Sequence, residues 1–319
     1  MNTKRKCSLI IGVVFAFAST GTGQQPKSFL SVQDILSGWQ ANYGALKSMK
    51  VSYFEKIVSA EPPVSDPNIV KTLVKWIHVE RVEEGKKFRA RSSAAKEGFA
   101  DIESVEETSF DGVYQRVYLP ARKLGTIYVG VTKEGIGTFN LLKRYLLSEP
   151  YIERPSVESE DSVFSKTVRR GLSDPNFTIS VRPVLEQVAG QVCHVLEVEY
   201  VRRDKNKEKA TIIWVAHEKG MLPMKYQEFD SKGAITHEIT VEQIDFAKTK
   251  DGGLWFPKKA FRVINLPTHI GVLKHEFDLL EFVPYIKVNT NTFRLDFPNG
   301  THVFDTELGL NYIMGVKGY

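Results

Sequence analysis

The sequence predicts a mainly β protein: one large antiparallel meander, curled or partly closed, with a helix at its start and a helical insertion in its middle. Three observations carry that expectation. Beyond residue 190, runs of side chains alternate apolar and polar with a period of two, the mark of an antiparallel sheet with one wet face. Turn residues punctuate those runs at 8 to 15 residue intervals, as consecutive hairpins require. A single stripe of helical period stands near the start of the chain.

Residues 1–23 read as a signal peptide. Lys4, Arg5 and Lys6 precede an uncharged, mostly apolar run over residues 8–18, which gives way to small residues. That run holds 11 residues, whereas a membrane span needs about 20, so the pattern fits a cleaved leader better than an anchor. Cleavage after Ala18 or near Gly23 fits equally well. The expected product, residues 24–319, is a single exported domain, periplasmic or secreted, with no membrane span of its own.

The helix is expected over residues 31–47. Val32, Ile35, Leu36, Trp39, Tyr43 and Leu46 fall on one face, and Ser31 with Asp34 makes a capping-box pair. Strands are expected at residues 51–58, 69–82, 88–92, 104–110, 113–119 and 126–131, with Asp111-Gly112 as a hairpin signal. Phe139, Leu142 and Leu146, then Phe164, Val168 and Leu172, return to helical spacing, which places the insertion at residues 134–175. Further strands follow at 192–201, 211–216, 224–229, 235–246, 256–264 and 271–282. Turns are expected at Asp230-Ser231-Lys232-Gly233 and Lys250-Asp251-Gly252-Gly253. In residues 235–242 the set Ile235, His237, Ile239 and Val241 faces one way and Thr236, Glu238, Thr240 and Glu242 the other.

Composition narrows function by exclusion. With 319 residues, 42% of them hydrophobic and 25% charged, the chain is neither fibrous nor wholly disordered. The formal charge of +5 falls to +2 without the leader, which supplies three cations and no acid. So small a charge gives no electrostatic case for nucleic acid. Cys7 belongs to the leader, which leaves Cys193 alone in an apolar strand as an expected buried thiol, with no internal disulfide.

Catalytic patterns fail on inspection. His217-Glu218, His237-Glu238 and His275-Glu276 begin like H-E-x-x-H, but the fifth positions are Met221, Val241 and Leu279. That zinc motif also needs a helix, and strand neighbours point to opposite faces. Gly135-Ile136-Gly137 starts like a dinucleotide loop, but Asn140 stands where the third glycine is needed. No nucleophile elbow, phosphate loop or C-x-x-C occurs. Asn176-Phe177-Thr178 and Asn299-Gly300-Thr301 match the glycosylation sequon. The reading is of a non-enzyme without metal or cofactor. An envelope hydrolase would instead require a cleft holding clustered titratable groups with shifted pKa values.

The second half carries a succession of family-like segments. Residues 188–198 (VAGQVCHVLEV) fit a v-x-G-x-x-x-x-v-l strand pattern. Ile213-Trp214-Val215-Ala216, residues 220–226 (GMLPMKY), Asp230-Ser231-Lys232-Gly233 and residues 253–259 (GLWFPKK) follow in order. The start is similar too, with Leu46-Lys47-Ser48-Met49 running into Val51-Ser52-Tyr53-Phe54, as is the end, at residues 297–305 (FPNGTHVFD). This succession resembles the outer-membrane lipoprotein-sorting carriers and receptors (LolA/LolB-like) and their exported relatives. The resemblance covers residues 31–60 and 177–265; the chain departs from the family in its length and in the 134–175 insertion. It implies an incomplete antiparallel β-barrel capped by helices, whose apolar interior takes up acyl chains, in a periplasmic protein without enzymatic activity. Under that reading Trp39, Leu196, Val198, Trp214, Tyr226, Ile239 and Val241 are the candidates to line the cavity, and the partner is a lipid, a lipoprotein acyl chain or another hydrophobic ligand. The alternative is a filled barrel that serves as an envelope scaffold or protein-interaction module.

Overall fold

A computed structural model describes residues 30–43, 46–61, 71–95, 104–130, 176–201, 206–250, 252–265 and 272–316. The leader and the 134–175 insertion lie outside the described residues.

Helix α1 spans Val32–Tyr43. Its start is fixed as the sequence predicts. The Ser31 hydroxyl accepts the Asp34 N–H at 3.1 Å, and the Asp34 carboxylate accepts the Ser31 N–H at 2.8 Å. Hydrogen bonds donated to it by the Ser31 hydroxyl, at 2.6 Å, and by the Ser31 N–H hold the Asp34 carboxyl below its usual pKa. The described helix stops at Tyr43, short of the expected Lys47.

The strands of the first half are β1 (Ser48–Glu61), β2 (Lys71–Glu84), β3 (Lys87–Ala95), β4 (Ser104–Phe110), β5 (Tyr114–Leu119) and β6 (Leu124–Val129). Asp111 makes the β4–β5 turn: its carboxylate accepts the N–H groups of Val113 and Tyr114 and pairs with Arg116 at 2.6 Å. The second half holds β7 (Phe177–Val181), β8 (Glu186–Val188), β9 (Gln191–Val201), β10 (Lys207–Ala216), β11 (Leu222–Phe229), β12 (Ile235–Thr249), β13 (Gly252–Asn265) and β14 (Val272–Pro284), and β15 (His302–Asp305) and β16 (Leu310–Ile313) end it. The turn expected at residues 230–233 forms: Asp230 Oδ1 accepts from Lys232 and Ala234, with Gly233 at φ +81°. Of the turn expected at residues 250–253, Asp251 lies outside the described residues, and Gly252 and Gly253 already belong to β13, paired with Thr249 and Lys248.

All sixteen described strands join one sheet that is not closed. The order is β16-β15-β6-β5-β4-β3-β2-β1-β14-β13-β12-β11-β10-β9-β7, with β8 also on β9. Two meanders are therefore joined side by side where β1 pairs with β14. Neighbours are antiparallel except β15 and β6, whose pairing is parallel and makes the sheet mixed. Leu295, Phe297 and Val303 form a small satellite cluster near that junction, with Tyr118 and Ile127 against it.

One core cluster holds the rest together. The buried face of α1 (Ile35, Leu36, Trp39 and Tyr43) joins Val51, Tyr53, Leu196, Ile213, Met224, Tyr226, Ile239, Val241, Phe277 and Leu279. The helix is seated closely. The Tyr43 hydroxyl donates to the carbonyl of Trp255 at 2.9 Å, and a Cβ added at Gly38 would lie 2.8 Å from Met221 Cγ. Along β1 and β11 to β14 the opposite sheet face is wet and ion-paired, with Lys56–Glu276 at 3.4 Å, Lys225–Glu238 at 3.3 Å and Lys259–Asp278 at 3.2 Å.

Candidate functional site

Directly opposed residues of an antiparallel ladder share a face, so the register reads the core-facing side strand by strand. One row runs Val241, Ala260, Phe277, Glu55 and Ile77. The next runs Leu196, Ile213, Tyr226, Ile239, Arg262, His275 and Ile57. A third runs Val198, Thr211, Glu228, His237, Ile264 and Leu273. Across these apolar rows Glu228, His237, Arg262, His275 and Glu55 form a diagonal polar band over five strands.

The members of the band are hydrogen-bonded to one another. The Tyr226 hydroxyl donates to Glu228, whose other oxygen stands 3.4 Å from His237 Nδ1. Arg262 Nε lies 2.7 Å from His237 Nε2. A guanidinium can only donate, so Nε2 accepts, and a neutral His237 with its proton on Nδ1 satisfies both contacts. Further along, His275 Nδ1 meets Glu55 Oε1 at 2.6 Å. Glu55 is 3% exposed, and its Oε2 is buried and meets no donor among the described residues.

His237 is held at both nitrogens. A carboxylate behind an imidazole holds the ring in one orientation, and here Glu55 stands so behind His275. His237 and His275 face the core, while their sequence neighbours Glu238 and Glu276 pair with lysines on the wet face. A shallow cleft of about 280 Å³ on that wet side is lined by Phe54, Glu242, Lys259, Phe261, Lys274, Glu276 and Asp278. Lys259 pairs there with Asp278 and Lys274 with Glu276; hydrogen bonding to Lys274 holds the Glu276 carboxyl below its usual range.

All seven residues singled out from the sequence are buried, none more than 7% exposed. Leu196, Val198, Tyr226, Ile239 and Val241 share the core-facing side, and Trp39 reaches the core from α1. Trp214 is turned the other way. It opposes Val195 and Lys225, and its indole N–H donates to Glu186 at 2.7 Å. The polar band escaped the sequence reading because its members are spread from residue 55 to residue 275. The available signal was His237 in the apolar half of an alternating strand.

Cys193 is fully buried, and burial pushes its thiol up to about 12. In protein beginning at residue 24, a thiol reagent at pH 8 is therefore expected to label nothing in the native state and one equivalent after unfolding in guanidinium. Rapid native labelling would contradict that burial.

Among the described residues no helix is long and apolar enough to cross a membrane. No family model matches this chain, and no curated protein matches it. Solved structures do. A DUF1329 family protein from Desulfovibrio piger is similar at 12% identity and TM-score 0.45, over 82% of this chain and 95% of that one. A domain assigned to outer-membrane lipoprotein sorting from Vibrio parahaemolyticus is similar at 15% identity and TM-score 0.44, over 82% and 95%. The chain is also similar to a LolA superfamily protein from Nitrosomonas europaea, at 12% identity and TM-score 0.41, over 85% of this chain and 100% of that one.

Proposed function

We propose that the protein is an exported, non-enzymatic binder or carrier of a hydrophobic ligand, a lipid or an acyl chain, in the cell envelope. The observation that carries this reading is an unclosed sheet whose core-facing side is larger than its one described helix covers. Beyond the polar band, Ile57, Ile264 and Leu273 continue the apolar face and are only half-buried. The leader pattern supports export, and the family-like segments support acyl chains as the class of ligand. In this reading Leu196, Val198, Tyr226, Ile239 and Val241 form the floor, with Trp39 closing it from the helix; Trp214 supports that floor from behind.

The second reading, a filled barrel used as a scaffold, is favoured by one observation: the seven candidates are packed, with Trp39 at 1% exposed. One experiment separates the two. Protein purified from its native envelope without detergent is extracted with organic solvent and the extract weighed by mass spectrometry. The ligand reading expects a stoichiometric lipid or acylated species. Empty protein that also ignores a neutral hydrophobic dye would transfer the assignment to the scaffold.

A further inference from the structure

We propose that Glu55, at the inner end of the polar band, receives the polar end of the ligand and selects one that carries a hydrogen-bond donor, a hydroxyl or a protonated amine. The inference rests on the ligand reading above and adds the class of head group.

Its starting point is Glu55 Oε2. A carboxylate removed from water keeps its free energy low only if its oxygens are met by donors. Oε1 meets His275 at 2.6 Å. Oε2, on a residue only 3% exposed, meets none among the described residues. The side chain cannot turn to water without leaving Phe277 and Ile77, its neighbours in the row. A ligand donor placed on Oε2 completes the set.

The charges of the band disfavour the opposite choice. Among the described residues it sets the guanidinium of Arg262 against the carboxylates of Glu55 and Glu228. An anionic head group would add a third negative charge beside them without finding a free donor on Glu55. A head group with no donor, such as an ester, would leave Oε2 as it stands. Sites built to bond a hydroxyl or amine reject analogues lacking it far more strongly than apolar pockets reject a missing methylene. Half-buried Ile57, Ile264 and Leu273 lie next to the band and give the alkyl chain an apolar bed.

The test uses the delipidated chain from residue 24 and four probes of equal chain length: 1-monopalmitin, hexadecylamine, methyl palmitate and palmitate. Binding is read by native mass spectrometry and by quenching of tryptophan fluorescence. The expected order places monopalmitin or hexadecylamine at least about tenfold tighter than both methyl palmitate and palmitate; which of the two leads tells hydroxyl from amine. In Glu55→Gln the amide turns a donor toward the ligand, and the preference is expected to fall below about threefold with methyl palmitate affinity kept. The wild-type order decides the matter even if that variant does not fold. Equal binding of all four probes, or palmitate first, would overturn the donor requirement and leave the ligand reading standing. Binding of none would overturn both.

Discussion

Replacing Val241 by aspartate is expected to abolish the cooperative folding of this protein. Val241 is completely buried on the core side of β12, opposite Ala260, and its row continues through Phe277 to Glu55. No cation of that row can meet a new carboxylate, and the nearest charge in it is another carboxylate. Leaving an uncompensated charge in such a place costs on the order of 3–5 kcal/mol or more, against a total stability of about 5–15 kcal/mol for native proteins. Thr240→Asp is the matched control. One residue back, the chain has turned to the wet face, opposite Lys225. A carboxylate there is expected to change stability by no more than about 1 kcal/mol. Urea unfolding followed by circular dichroism checks both. A cooperative Val241→Asp transition near the wild-type midpoint would show that β12 lies in a different register.

The second large effect is expected from Trp39→Ala, at about 3–5 kcal/mol. Trp39 is 1% exposed and its ring lies 6.1 Å from that of Tyr43. Twelve residues are too few for a stable isolated helix in water, so α1 persists through what it buries. Removing its largest buried side chain is expected to lower the midpoint of thermal unfolding and to speed amide exchange in α1 more than in β12. A loss below about 1 kcal/mol would mean that α1 is not held by this contact. Wild-type protection of α1 with a large loss elsewhere would mean the same.

Much of this arrangement is legible in the sequence, and the limits of that legibility are physical. The fourth strand is expected at residues 104–110 and forms as Ser104–Phe110, because Asp111 and Gly112 end it chemically. Strands of the second half emerge within a few residues of their expected ends, since period-two burial on one face is a local signal. The short strands Phe177–Val181 and Glu186–Val188 give too few residues for a period, and neither is legible in advance. The parallel pairing of β15 with β6 is likewise invisible, because no local pattern tells one strand which distant edge it will meet. The polar band is the clearest case. Glu228, His237, Arg262, His275 and Glu55 look like scattered polar residues until the register lays them diagonally on one face. Tyr200, by contrast, alternates with the apolar set of its strand and still ends 40% exposed, because burial follows what covers the strand and not its period alone.

The seam between β1 and β14 also sets a timetable. Glu55 and His275, bonded across it, are separated by 220 positions in the chain. Ribosomal synthesis delivers residue 55 early and residue 275 near the end, so the strand that begins the first meander waits with a bare edge while most of the protein is still being made. Closing a loop of that length costs chain entropy before any contact repays it, and sheets with such distant pairings fold slowly. Until β14 arrives, the row of unpaired N–H and C=O groups along β1 is a ready template for any other extended chain. The nascent polypeptide is thus held back from its final form by its own topology, and it needs its waiting edge shielded until the last strands come.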